Sequence, residues 1–455
     1  MRIAFVSANR ENMPDAVIPL GVLYVMANTP DGHETTLVDL CFAEDPQRKL
    51  AERLRAYNPD LVAIGLRNIQ NNDYSDTAHN IAYYAKCIQT VRSVTTAPVV
   101  LGGGGFSVVP RGLMEKLHPD FGISGEGEGA FAALVRTLTC GERNFSNIPN
   151  LHYFADGKLY SVPASGEFLD LNTLARPDRS LVDVRHYQRY GIDSVQTKRG
   201  CSLRCDYCTY PTIEGRSIRQ RDPALVVDEL FEAKRQHSDL KHVFIVDSVF
   251  NLPPKHAKDI CREMIRRNYD LPWTCYVNPI GFDQNLAEIM AQAGCAGLEI
   301  GSDSGCDEVL TRLKKGFDTQ LIRQTRSHCQ SAGLKDCHTF ILGTMGEVLD
   351  DVRRTLDFII DLDPFAAILM IWVDDEEALD KTLAAERRAF RQQIRDLLTQ
   401  MEKQFPRWII PPLGTHFDPR LFSLLRRRGM HGPLWQHIHR VTGDDQSQRP
   451  KRTFS

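Results

Sequence analysis

Apolar and polar positions alternate in two rhythms along this chain. Short apolar runs at 2–7, 35–40, 61–66, 98–103 and 121–127 read as buried strands. Between them, 46–57, 76–93 and 127–138 carry apolar residues at three- and four-residue spacing, the pattern of an amphipathic helix. Strands alternating with such helices predict an α/β fold with a doubly wound parallel sheet, whose ligands sit at the carboxyl ends of the strands. The rhythm breaks over 141–190, where Asn, Pro, Asp and Gly recur and residues 151–162 predict a hairpin across Asp156–Gly157. It resumes with strands at 194–198, 242–246, 273–277, 297–301, 336–342 and 366–371. The matching helices are 223–236, 255–267, 284–293, 307–332 with a break at Gly316, and 348–361. Six βα repeats suit a partial parallel barrel as well as an open sheet. A charged helix is expected over 376–403, then a proline-interrupted stretch that is helical to about Val441. The polar tail from Thr442 is expected to be disordered.

Composition narrows the function classes. Lys plus Arg number 55 against 58 Asp plus Glu, so no general attraction to a phosphate backbone is expected, and nucleic acid is not a predicted partner. The longest apolar run, Ala366 to Val373, is far short of the ~20 residues of a membrane helix. The amino-terminal residues pass from a strand-like run into Asn, Arg and Glu, unlike a secretory leader, so a cytoplasmic location without a disulfide framework is expected. Nine of the twelve cysteines are scattered singly and read as small buried hydrophobes.

The other three, Cys201, Cys205 and Cys208, lie within eight residues after a predicted strand. Three thiolates on one loop suit a single metal centre. Zinc takes thiolates too, but a structural zinc site uses four ligands, and the next Cys or His is His237. Three cysteines leave one iron of a [4Fe–4S] cube open to a substrate. This spacing, with Tyr207 before the last cysteine, resembles the fingerprint of radical S-adenosylmethionine (SAM) enzymes. The resemblance implies that Cys201, Cys205 and Cys208 hold the cluster and that Tyr207 lies beside SAM. It gives Asp247 and Ser248, at the end of the second strand of this region, to the SAM amino group. It further implies SAM contacts from Asp303 and Ser304 in Gly301–Gly305, where Asp replaces the usual Glu, and from Ile341 and Gly343 beside the adenine.

The amino-terminal sheet suits a dinucleotide or cobalamin. A dinucleotide site places its glycines after the first strand, whereas Ser7–Arg10 has none. The glycines come late, as Gly102, Gly103, Gly104 and Gly105, then Gly125-Glu126-Gly127-Glu128. Glycine lets a backbone approach a bulky ligand such as a corrin. With Leu20 and Gly21 after Pro19, these loops resemble the cobalamin-binding domain that precedes many radical SAM domains. The whole resemblance, to the cobalamin-binding radical SAM proteins, covers roughly 1–370. It implies a Rossmann-like cobalamin-binding domain over 1–140 and a linker with a small hairpin over 141–190. A partial (β/α)6 barrel over 191–371, a mostly helical region over 372–441 and the tail 442–455 follow.

His33 departs from the family's cobalt-binding histidine loop. It precedes the second strand and lacks the following glycine, so it reads as a surface turn residue. Arg67 and Asn68 end the third strand, on the cofactor face. An arginine there resembles a tryptophan-methylating member of the family, in which Arg lies beneath cobalt. The alternative for Arg67 is a salt-bridged or solvated strand end.

The resemblance implies three cofactors: a [4Fe–4S] cluster, SAM and cobalamin. It implies methylation of an unactivated carbon or phosphorus centre of a small metabolite, through a 5′-deoxyadenosyl radical and methylcobalamin, fed by a low-potential donor such as flavodoxin or ferredoxin. Ring formation, ring contraction or oxidation without methyl transfer is the second reading, and a non-catalytic cobalamin sensor the third. No catalytic side chain stands out. Trp372–Glu377 reads either as an acidic substrate-facing edge or as the acidic cap of the next helix. Arg426-Arg427-Arg428 reads as a solvated helix face.

Overall fold

A computed structural model describes residues 1–11, 16–69, 80–183, 187, 192–374, 379–402, 404–411 and 424–442. The chain forms two compact units that divide between Ser248 and Val249.

The first sheet contains β1 (Arg2–Ser7), β2 (Glu34–Asp39), β3 (Leu61–Gly65), β4 (Val99–Gly102), β5 (Phe121–Ile123), β6 (Leu151–Ala155) and β7 (Lys158–Ser161), in the order β2-β1-β3-β4-β5-β6-β7. The first five strands in sequence are parallel, and the chain reverses its direction across the sheet between β1 and β3. Alternation along each strand builds two cores. Ile3, Phe5, Leu61 and Ala63 face helices Leu20–Ala27 and Gly127–Thr139. Ala4, Val6, Val62 and Ile64 face helices Pro46–Tyr57, Ile81–Val94 and Pro110–Leu117. Both faces are covered, which explains why these strands read as unbroken apolar runs.

The predicted hairpin forms across Asp156 and Gly157, whose φ angles of 49° and 70° make a tight primed turn. It adds β6 and β7 antiparallel to the edge at β5. The apolar run at 121–127 stops being strand at Ile123, because Gly125 turns the chain at φ 72° and a helix starts at Gly127. Helix Leu20–Ala27 was not predicted: it is apolar nearly all round, so it offers no periodic contrast. The helix expected from 76 is observed from Ile81, and positions 76–79 lie outside the described residues.

The first unit also holds β8 (Ile192–Val195) parallel to β11 (His242–Ile245), helix Pro223–Gln236, and β9 (Lys198–Arg199) paired antiparallel with β10 (Arg219–Gln220). The strand expected over 194–198 is split because Thr197 gives its N–H to the Asp247 carboxylate at 2.7 Å instead of to a ladder.

The second unit runs in parallel order through β12 (Trp273–Val277), β13 (Cys295–Asp303), β14 (Asp336–Leu342), β15 (Ala366–Ile371) and β16 (Trp408–Ile409). Successive strands are neighbours here, the order of a βα barrel and not of the doubly wound first sheet. Phe340, Leu342, Leu369 and Ile371 pack under helices Leu349–Leu362 and Lys381–Met401. Thr339, Ile341, Ile368 and Met370 point the other way and are half-buried. The long helix expected over 307–332 breaks into Asp307–Arg312 and Thr319–Ala332, with Lys314 and Gly316 at positive φ.

Two expectations for the carboxyl-terminal region change. Asp374 is neither a solvent-facing edge nor a helix cap: it is buried against Arg387 at 2.8 Å and Arg391 at 3.0 Å. The cap is Asp380, which accepts from Thr382 and Leu383, while 375–378 lie outside the described residues. Arg426 is buried and donates to the Met430 and Gly432 carbonyls; only Arg427 and Arg428 are exposed. Among the described residues no helix is long and apolar enough to cross a membrane.

Candidate cofactor-binding site

The cysteine loop leaves β9 through Gly200, whose φ is 88° and where a Cβ would come within 2.1 Å of the Ser217 carbonyl oxygen. Only glycine fits that turn. Cys201 is buried and its N–H donates to the Gly215 carbonyl at 3.2 Å; Cys205 and Cys208 are half-buried. Glu214 frames the loop from behind. Its carboxylate accepts from the Gly200 N–H at 3.1 Å and the Gln196 amide at 2.8 Å, and burial pushes its pKa up. Among the described residues no three Cys, His, Asp or Glu side chains are already gathered at metal-binding distance. The donor set itself fits an iron–sulfur cluster: three thiols, with no further Cys or His in the sequence until His237.

The glycine loops adjoin this region within the same compact unit. Gly103, at φ 94°, passes so close to the end of β3 that a Cβ would lie 2.6 Å from the Leu66 carbonyl oxygen. Gly105 meets the Asn68 backbone at 3.1 Å. These two glycines therefore allow close packing of their loop against the end of β3. Gly104 and Gly102 have ordinary clearance of 3.6 Å, and Gly21 has nothing within 4 Å. Those open positions are the ones that suit a bulky ligand. Gly104 also lies 3.7 Å from Ile213, on the short helix Tyr210–Glu214 that follows the cysteines.

The Gly-Glu-Gly-Glu turn has a structural use that was not expected. Arg199, two residues before Cys201, clasps Glu128 through two bonds of 3.2 and 2.6 Å. Arg219 holds Glu126 at 2.8 Å, and Glu126 also faces Arg199 at 3.6 Å. The turn after β5 is thus tied to the two strands that bracket the cysteine loop. Motif spacing gave no sign of this, because the partners lie 71 and 93 residues apart.

Arg67 is exposed at the carboxyl end of β3, and Asn68 accepts a short hydrogen bond from the Tyr84 hydroxyl at 2.5 Å. His33 lies before β2 and faces the amino terminus at 3.1 Å, as a turn residue should. His152 has both ring nitrogens occupied, by Ser161 at 2.9 Å and Ser124 at 3.1 Å.

Asp247 is fully buried, accepting from the Thr197 N–H, the Thr197 hydroxyl and the Lys198 N–H, with the Lys198 ammonium at 3.5 Å. Ser248 beside it is half-buried. In the second unit Asp303 ends β13 at φ 62° and is paired with Lys315 at 2.6 Å. Ser304 is buried, with its hydroxyl 3.0 Å from that of Thr355. Gly343, at φ 83°, donates its N–H to Glu347 at 2.8 Å, and Ile341 is half-buried on the sheet face opposite Phe340 and Leu342.

Residues 7–135 match the B12 binding domain and 195–359 the radical SAM superfamily. The chain is similar to a tryptophan 2-C-methyltransferase of Streptomyces laurentii, at 28% identity over 79% of this chain and 70% of that one. The fold is similar to that of the radical SAM methyltransferase TsrM of Kitasatospora setae, solved with cobalamin and a [4Fe–4S] cluster, at a TM-score of 0.84 and 22% identity over 97% of this chain and 98% of that one.

The chain is a cobalamin-binding radical SAM protein. Its cofactors are therefore a [4Fe–4S] cluster, SAM and cobalamin. This radical SAM protein is also similar to an anaerobic magnesium-protoporphyrin IX monomethyl ester cyclase of Rubrivivax gelatinosus, at 24% identity over 80% of this chain and 66% of that one. Zinc is thereby set aside as the metal of the cysteine loop. Of the nine remaining cysteines of the radical SAM protein, eight are buried as expected, and Cys140 is exposed.

Proposed function

We propose that this radical SAM enzyme methylates an unactivated carbon or phosphorus centre of a small metabolite. The observation that carries the reading is Arg67, an exposed cation at the carboxyl end of β3, with no described histidine offering a free ring nitrogen at this sheet end. When bound, the cofactors supply hydrogen abstraction from an unreactive position and a methyl relay from SAM. The chain's part is positioning and electrostatics. Arg67 favours the less positive, more reduced state of a metal beside it. Leu20, Gly21, Gly102 and Gly104 bound the open surface that suits the corrin, while Gly103, Gly105, Gly125 and Gly127 shape the loops and Glu126 and Glu128 lock them. Cys201, Cys205 and Cys208 hold the cluster, with Tyr207 alongside. Asp247 already satisfies Thr197 and Lys198, so the SAM amino group falls to Ser248. Asp303, Ser304, Ile341 and Gly343 keep the SAM role that the family resemblance gives them. A low-potential flavodoxin or ferredoxin is the proposed electron source, and the cytoplasm the proposed location.

Anaerobic turnover with SAM, a reductant and extracts of a deletion strain tests the reading. S-adenosylhomocysteine formed beside 5′-deoxyadenosine is expected. Deoxyadenosine alone would replace methyl transfer by ring formation or oxidation, the reading that the cyclase similarity favours. No SAM turnover at all would leave a cobalamin sensor.

A further inference from the structure

The face of the second sheet turned away from helices Leu349–Leu362 and Lys381–Met401 is built in rows. Tyr276, Glu299, Cys337 and Ala366 are consecutive register partners on β12, β13, β14 and β15. The next row up is Gly301, Thr339 and Ile368, and Ile341 and Met370 stand above it. The opposite face is shut by helices, since Ser302 bonds His338 there at 2.7 Å and Phe340 lies in the core. At the amino end the rows rest on Trp435 and Ile438, which pack with Cys337 and Ala366. Gly297 must be glycine, because a Cβ would meet the Trp435 ring at 2.5 Å. The result is a slot with a floor closed by Trp435 and Ile438, along which Thr339, Ile341, Ile368 and Met370 are half-buried and Tyr276 is exposed.

Glu299 stands on that floor. Its one hydrogen bond among the described residues comes from the Trp435 indole N–H, at 2.9 Å. Glu299 is half-buried, and one neutral donor is poor compensation for a carboxylate partly withdrawn from water. Burial accordingly pushes its pKa up to about 7. Directly above it Gly301 contributes no side chain, and the space leads to the Asp303–Lys315 pair, whose atoms lie 3.8 and 3.9 Å from where a Gly301 Cβ would be. At a rise of about 3.3 Å per residue, Glu299 lies roughly 13 Å below Asp303. The walls beside the opening, Tyr276, Ile368, Ile341 and Met370, are aromatic or aliphatic.

We propose that Glu299 is a substrate-binding carboxylate, and that the substrate is a small amine: a protonated nitrogen seated on Glu299, with an apolar or aromatic body lying in the slot above. The identification of that molecule as substrate rests on the proposed function; the binding itself does not. A cation supplies what the carboxylate lacks, a charge-assisted hydrogen bond away from bulk water. An anionic or purely neutral molecule gains nothing there. Trp435 is the positioning residue, fixing one carboxylate oxygen so that the other faces the slot.

Ligand-observed NMR titration of the full chain at pH 8, without SAM, compares 2-phenylethylamine with 2-phenylethanol. The two probes share a body and differ in the charged head. The amine should bind at least tenfold more tightly than the alcohol. Glu299→Gln keeps an acceptor for Trp435 and removes the charge, and should erase the preference while leaving alcohol binding and the melting temperature of the slot's β-sheet unit unimpaired. Equal affinities, a preference that survives in Glu299→Gln, or no binding of the amine up to 10 mM, a ceiling of about −3 kcal/mol, would each overturn the proposal. The wild-type comparison decides even if the variant fails to fold. Because SAM is absent, failure here is separate from failure to make S-adenosylhomocysteine.

Discussion

Removing the Arg199 side chain tests how the cysteine loop is held. Arg199→Met keeps the length and apolar stem of the residue but deletes the guanidinium. Its partner Glu128 has 4% of its side chain exposed and accepts two bonds, at 3.2 and 2.6 Å. The variant strands that carboxylate in the interior, and Glu126 loses its neighbour at 3.6 Å while keeping Arg219. Breaking a buried pair from one side costs roughly 3–5 kcal/mol. Spread over a unit of about 250 residues, at roughly 2–4 °C per kcal/mol, this lowers the melting temperature by roughly 6–20 °C. Glu128→Gln should cost less, roughly 1–3 kcal/mol, because Arg199 still faces Glu126 and the amide oxygen still accepts. The double variant should lose less than the sum, since the stranded charge is gone. Urea unfolding followed by circular dichroism measures all three, and iron content after anaerobic purification reports on the loop. A cost below about 1 kcal/mol for Arg199→Met, or strict additivity in the double variant, would show that the pair is not shielded and would refute the reasoning.

Further outcomes follow from the same geometry. Replacing Cys201, Cys205 and Cys208 together by Ala should abolish iron binding and all deoxyadenosine formation, whereas Cys275, Cys295 and Cys337 should each tolerate Ala with iron retained. Gly103→Ala should destabilise the chain, being both at φ 94° and 2.6 Å from a carbonyl oxygen, while Gly104→Ala should fold and Gly104→Phe should fold yet take up no cobalamin in an absorbance titration. Glu299 gives stability a pH slope: its folded pKa is raised to about 7, so the folded state binds the extra proton and stability falls as pH rises from about 4 to 7, by up to roughly 3 kcal/mol. Glu299→Gln should remove that slope in urea titrations and match the wild type near pH 4; an unchanged slope would place the carboxylate in water.

The sheets were legible because their signals are local. Strands 2–7, 273–277, 336–342 and 366–371 and helices 46–57 and 223–236 end where periodicity placed them. Both faces of the first sheet are covered, so its strands had to be apolar throughout, and such runs are hard to miss. Helix Leu20–Ala27 was missed for the same reason in reverse: apolar on nearly every side, it carries no period. The cysteine loop stood out because three cysteines fall within eight residues. The Arg199–Glu128 and Glu299–Trp435 contacts were not, because each joins residues 71 or 136 positions apart and neither partner is unusual alone. The contact of Gly103 and Gly105 with the end of β3 was not legible either, because the glycine run is 37 residues away from it in sequence.

The compact unit that ends at Ser248 contains the glycine loops and the cysteine loop together. Its interior ion network runs across the segment between the two family matches: Arg179, wholly buried, pairs with Asp193 and Glu229 at 2.9 Å each, and Tyr24, on the helix Leu20–Ala27 that covers the first sheet, donates to Glu229 at 2.8 Å. A chain cut near residue 140 would strand Tyr24, and one cut near 190 would strand Arg179. The corrin-binding portion is therefore not a detachable cartridge. Whatever binds it raises the free energy of opening everything sewn to it, by RT ln(1 + [L]/Kd). A vitamin held at a hundredfold excess over its Kd thus stabilises the folded unit, cysteine loop included, by about 2.7 kcal/mol without touching a single thiol.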